Sequence, residues 1–289
     1  MKGGRKIFHC AALVVFVGCA SADGTFEMSN APANHFFVSP EFQPPVRQAG
    51  IDAESIFNDD RILPWRTLPD RQNCTLDVDL PNGIHIRWHV KRYLASRRAM
   101  TAVRDEVAGH RALVDAGIPT AAMVGYGTLS DGRGFVIFDD LAGYRPLDKM
   151  IERGTPFQEL LAATADLAAK LHRADLHHRD LYLCHFMGRT IGSAIDLKLI
   201  DTARVKRLPG VLTRGRWIIK DLAQFWYSTL RLPVTDEQRS AWLDRYAISR
   251  GIVSAVPLRS RIERKVRSIA RHDARLHQTR PERDVSIPE

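Results

Sequence analysis

Between Thr75 and Leu94 the chain alternates apolar and polar residues twice, in TLDVDL and in IHIRWHVKRYL, around the break Pro81-Asn82-Gly83. Alternation with period two marks a strand with one buried face, so two such runs around a Pro-Asn-Gly turn predict an antiparallel hairpin. Val103, Val107, His110 and Val114 then recur at helical spacing until Gly117-Ile118-Pro119 stops the pattern. A short apolar run, FVIF from Phe135, predicts a buried strand ending at Asp139-Asp140. Hairpin, helix and strand in that order predict a small β-rich lobe over residues 51–139.

The pattern changes after Pro156. Leu160, Thr164, Leu167 and Leu171 fall on one face of a long helix, and short strands around Phe186-Met187 and Leu197-Ile200 flank a Gly192-Ser193 turn. Beyond Arg214 the chain turns helical again, with Leu222, Phe225, Trp226 and Leu230 predicted to face inward. Residues 140–257 therefore predict a mainly helical second lobe, and the fold class is α+β and bilobal. A chain of 289 residues, 45% of them hydrophobic, can bury the core this needs. Residues 28–50, rich in Pro, Asn and aromatic side chains without periodicity, read as a flexible arm.

The two ends carry different signals. Lys2, Arg5 and Lys6 precede the apolar stretch AALVVFVGCA, and Ala20-Ser21-Ala22 has the form of a signal-peptidase site, so residues 1–27 resemble an export signal or anchor. A start at Met28 would remove this segment, and an anchor would leave the remainder at the inner face of the cytoplasmic membrane. The net charge of +9 favours anionic partners, and much of the excess sits in a basic helix and tail over residues 258–289. Either a solvated face or contact with an anionic membrane accounts for that tail. The four cysteines lack metal-ligand spacing, and no aromatic-basic platform for nucleic acid is present.

Chemistry concentrates in His177-His178-Arg179-Asp180-Leu181-Tyr182-Leu183-Cys184-His185-Phe186, between the long helix and the strand pair. Phosphoryl transfer to an alcohol needs a carboxylate at the hydroxyl, another on magnesium, and a cation on the donor phosphates. Asp180 suits the first of these. HRDLYLCHF, followed by LKLIDTARV and RWIIKDLAQFWYS, closely resembles the lipopolysaccharide kinase family, whose members phosphorylate core heptose or Kdo sugars. The resemblance runs from about Ala49 to about Tyr246 and implies a protein-kinase-like fold using ATP and Mg2+.

By that resemblance Asp180 is the catalytic base and Asp201 a metal ligand. Lys91, on the strand WHVKRY, and Glu106, on the following helix, are a nucleotide-side ion pair. Asn82 and Gly83 form the only turn between the first strands available as a phosphate loop, since no GxGxxG exists, and Asp139 joins the nucleotide side. His185 stands where kinases place a metal-binding Asn; imidazole suits magnesium poorly, so contact with phosphate or support of the loop is the other reading. His178 and Arg179 are loop scaffold, and Asp221 resembles the Asp that ties the catalytic loop down. The implied acceptor is a lipopolysaccharide core sugar or another anionic glycolipid at the inner membrane. A protein or small-molecule kinase with the same cleft, or a membrane-tethered pseudokinase, are the alternatives.

Overall fold

A computed structural model describes residues 34–279, apart from Asn82 and Ser193. The expectations for residues 1–27 and for Asn82 lie outside the described residues.

The chain enters as strand β1 (Asn34–Val38), then helices α1 (Gln43–Ala49) and α2 (Ser55–Asn58). Strands β2 (Ile62–Thr67), β3 (Arg71–Asp79) and β4 (His85–Tyr93) follow as an antiparallel meander. Helix α3 (Ala99–Asp115) leads to β5 (Met123–Leu129) and β6 (Gly134–Asp139). The six strands form one sheet in the order β1-β5-β6-β4-β3-β2. The predicted hairpin is β3 and β4.

Alternation along the strands gives the sheet two faces. Tyr93 and Val136 pack with Val103 and Val107 of α3. Cys74, Leu76, Trp88, Val90, Phe135 and Ile137 pack on the other face with Val46, Ala49 and Ile56. Residues 28–50 are therefore not simply a loose arm. From Asn34 onward they supply an edge strand paired with β5 and a helix that covers apolar sheet surface. Residues with no helical or strand period can do this because the edge needs one strand and the face only a few apolar contacts, such as Phe36 against Phe135 at 5.1 Å.

The helical lobe begins with β7 (Arg145–Pro146), α4 (Leu147–Glu152) and α5 (Phe157–Arg173). Strands β8 (Leu176–His177), β9 (Phe186–Ile191), β10 (Ala194–Leu199) and β11 (Lys206–Arg207) form two small sheets, β10-β9-β7 and β11-β8. Helices α6 (Val211–Ser228), α7 (Asp236–Arg250) and α8 (Val256–Thr279) complete it. Phe225 stacks on Trp242 at 4.1 Å, and Trp242 donates its indole N–H to Thr164 at 3.0 Å, so the largest fully buried side chain of this core keeps its polar atom paired.

Two details differ from the sequence pattern. Val114 and Leu230 are exposed, because Val114 lies on the outer side of α3 and Leu230 falls two residues past the end of α6. The basic carboxy-terminal segment is helical as predicted, but Ile262 and Val266 are buried in the helical-lobe core, so α8 is an amphipathic element docked on that lobe. Among the described residues no helix is long and apolar enough to cross a membrane.

Candidate active site

Glu106 sits on the inner face of α3 and is fully buried. A buried carboxylate is tolerated when its oxygens are filled. Lys91 donates to both of them at 2.9 and 3.0 Å, Tyr93 to Oε2 at 2.9 Å, and Thr202 to Oε1 at 3.0 Å. Lys91 also donates to Asp201 Oδ1 at 2.9 Å. One ammonium thus joins the sheet, the helix and the second residue after β10. Burial opposes the charge on Lys91, but Asp201 and Glu106 outweigh it and raise its pKa; in turn the Lys91 charge holds Asp201 far below the usual carboxylate range, against burial.

Helix α3 approaches the turn after Asp201 at a glycine. A Cβ on Gly109 would stand 1.9 Å from the carbonyl oxygen of Thr202, so only glycine allows this contact. Thr202 also donates to the Glu106 carbonyl at 3.1 Å. Sequence spacing gave no hint of Gly109.

The catalytic-loop segment leaves β8 with Arg179 in the left-handed region at φ 67°. A non-glycine residue keeps that conformation only when its surroundings hold it. Asp221, fully buried, accepts from the backbone N–H groups of His178 at 2.7 Å and Arg179 at 2.8 Å. Burial works against its charge, yet His172, His178 and these amides keep its pKa low. Lys220 and Gln224 hold the Arg179 carbonyl at 2.6 and 3.0 Å, and His178 Nε2 donates to the carbonyl of Ile200 at 3.0 Å.

Asp180 follows directly. Its Oδ2 accepts from Arg204 at 2.9 Å and its Oδ1 from Gln224 at 3.2 Å, and each oxygen keeps a lone pair for another donor. His185 lies between the two carboxylates: its Nδ1 donates to the Asp180 carbonyl at 2.7 Å and its Nε2 stands 3.7 Å from Asp201 Oδ2. Burial opposes its charge, but Cys184, Asp201 and the Asp180 carbonyl push its pKa up to about 10. The Nδ1 contact to the Asp180 carbonyl ties the ring to the catalytic loop, and Nε2 is left facing Asp201.

Two other predicted groups do not join this cluster. Gly83, at φ 79°, turns the β3–β4 hairpin beside Asp79 and His85, and six residues of strand, about 20 Å, separate it from Lys91. Asp139 pairs with Trp88 at the end of β6, on the face opposite Lys91, and its carboxyl is pushed up chiefly by burial. The turn that ends near Lys91 is Leu68-Pro69-Asp70, whose Asp70 carbonyl accepts from Leu94 at 3.0 Å. From it β3 carries Arg71 opposite Tyr93 and Asn73 opposite Lys91. Arg71 Nε and Asn73 Oδ1 are buried without a hydrogen-bond partner. Alternation along the hairpin, read with its register, is the signal that points to both.

The profile of the lipopolysaccharide kinase (Kdo/WaaP) family matches residues 85–246, which is more than half of the chain and includes every residue of the cluster from Lys91 to Asp221. The chain belongs to that family. Membership makes it a phosphotransferase of the lipopolysaccharide kinase kind, acting on a sugar hydroxyl. The lipopolysaccharide core heptose(I) kinase WaaP of Pseudomonas aeruginosa is 29% identical over 205 residues, covering 63% of this chain and 75% of that protein. The protein of the same description from Escherichia coli K12 is 26% identical over 209 residues, covering 62% and 74%. A solved structure of WbdD is similar at 15% identity with a TM-score of 0.42, over 71% of this chain and half the length of that one.

Proposed function

We propose that this chain transfers the γ-phosphoryl group of ATP, with Mg2+, to a hydroxyl of a lipopolysaccharide core sugar, heptose being the class on which its relatives are named. The observation that carries the reading is the Lys91 ammonium held 2.9 Å from both Glu106 and Asp201, in a chain whose loop presents Asp180.

The residues fit the donor. Asp201 keeps Oδ2 clear of Lys91, and magnesium at kinase sites takes one or two carboxylates with phosphate and water oxygens completing the shell. The unpartnered Arg71 Nε, on the same sheet face as Lys91, suits an anion where a glycine-rich loop is missing. Bound Mg-ATP supplies the phosphoryl group and neutralises charge on its own oxygens.

The protein's part is positional. Lys91 binds donor phosphate oxygens and keeps Asp201 ionised. Asp180 accepts a hydrogen bond from the acceptor hydroxyl, orients it toward the phosphorus and takes its proton as the new ester bond forms. Asp221 and Gln224 hold that carboxylate in register by gripping the backbone on its amino-terminal side. The reading includes action at the inner face of the cytoplasmic membrane, supported by the need for ATP and by the net charge of +9.

Incubation with labelled ATP and extracted lipopolysaccharide tests it. The parent should label the glycolipid and leave a generic protein unlabelled, and Asp180→Asn should lower kcat by about 10²- to 10⁴-fold with ATP affinity nearly unchanged. Undiminished turnover in Asp180→Asn would sink the assignment.

A further inference from the structure

A cavity of about 390 Å3 opens beside the catalytic loop between α6 and α8. Arg179, Arg216 and Lys220 line one side, Arg261, Arg264 and Lys265 the other, with Trp217 between them. Among the described residues, none of these six cations is within salt-bridge distance of a carboxylate, although elsewhere in the chain arginines such as Arg87 and Arg245 pair with Asp77 and Asp166. Three of the six crowd one indole: Arg179, Arg216 and Lys220 lie 4.7, 5.4 and 5.7 Å from the Trp217 ring. Arg179 Nε is buried with no partner.

Such a concentration of positive charge is self-repelling, and a bound anion relieves it. Burial, followed by the Arg204 charge, lowers the Lys220 pKa to about 8, even with Asp180 and Asp221 pulling the other way. The cavity also adjoins the chemistry. Gln224 donates both to the Arg179 carbonyl at 3.0 Å and to Asp180 Oδ1 at 3.2 Å, so the cationic wall begins one residue from the carboxylate that meets the acceptor.

We propose that this concavity is the acceptor subsite: it binds acidic groups of the glycolipid, phosphate or carboxylate on sugars adjoining the reacting one, and so presents the hydroxyl to Asp180. The inference rests on the kinase reading above for the identity of the acceptor. Concavity favours a discrete charged sugar over a flat lipid surface. Arginine forks on facing walls suit two-oxygen groups such as phosphate and carboxylate.

The test is direct titration of a soluble, delipidated acidic core oligosaccharide into the full chain without nucleotide. Arg261→Gln with Arg264→Gln, both exposed side chains, should weaken binding at least about tenfold, as expected from losing two charge-assisted contacts. Arg267→Gln with Arg271→Gln removes the same charge from α8 outside the cavity and should stay within about twofold of the parent, since exposed charges at a distance are screened. An oligosaccharide stripped of phosphate and with its carboxyl groups reduced should bind parent and variant equally weakly, while the nucleotide Kd stays unchanged.

Equal affinity of parent and Arg261/Arg264 variant overturns the subsite. So does equal loss in the control pair, which would mean diffuse attraction, or a loss seen only with phosphatidylglycerol vesicles, which would mean a membrane face. A parent that binds the acidic oligosaccharide through these arginines but transfers no phosphate would leave the subsite standing and refute the kinase reading instead.

Discussion

Glu106 accepts four hydrogen bonds from three donors and meets no solvent, so its neighbours are fixed by it as much as it is by them. The tightest constraint in that group is Gly109, where helix α3 touches the Thr202 carbonyl. Gly109→Ala forces the helix outward and should cost about 1–3 kcal/mol of stability, as overpacked sites do. Because Thr202 also donates to Glu106, the shift loosens the Lys91 cluster. The expected kinetic sign is a raised KM for ATP with a smaller change in acceptor KM, and an unaltered ATP KM would separate this contact from nucleotide binding. Lys91, Glu106, Asp180, Asp201 and Asp221 were legible in the sequence through the family resemblance that HRDLYLCHF, LKLIDTARV and RWIIKDLAQFWYS carry. Gly109, Arg71 and Asn73 were not, because their roles depend on which residue stands opposite, and that is set by register and helix docking rather than by spacing.

At the scale of elements, the β3–β4 hairpin and helices α3, α5 and α6 were legible because each repeats its apolar period several times. Strand β1 and helix α1 were not. Five and seven residues offer little period to read, and their partners are remote: Ser39 donates to the Met123 carbonyl, 84 residues away. The phosphate-loop assignment failed for a related reason, since two turns bound β3 and only the sheet register says which one ends near Lys91. A chain beginning at Met28 keeps every described element and should be soluble and active. One beginning at Ile51 loses β1 and α1 and uncovers the Trp88, Val90 and Phe135 face. The lost burial is on the order of 5 kcal/mol, comparable to the whole net stability of a domain. Activity and melting of the two truncations settle the matter: equal melting points would return residues 34–50 to the status of an arm.

For the molecule as a whole, the imidazoles near the cleft oppose one another in pH. Burial lowers His177 to about 4 and lowers His178 and His110 as well. An unfolded chain protonates these rings near the ordinary value of 6.5. On acidification the unfolded state therefore binds protons first, and stability falls from about pH 6.5 toward 4. His185 has the reverse sign. Its pKa is raised to about 10, so its contribution is fully present below 6.5 and disappears as the pH climbs through 10. Asp201 and Asp221, both held below the ordinary carboxylate value of 3.8, remain ionised and stabilising throughout this window. Stability should therefore be greatest near pH 6.5, falling on the acid side through the buried rings and on the alkaline side through His185 until, above about 8, the lowered pKa of Lys220 offsets the loss. Thermal melting between pH 4.5 and 9.5 checks the shape, and His177→Gln should flatten the acid limb while leaving the alkaline limb in place. A parent melting point that stays level from pH 6.5 down to 4.5 would mean that these rings accept protons inside the fold, and the packing of His177 against Trp217 at 4.8 Å would then have to open without cost.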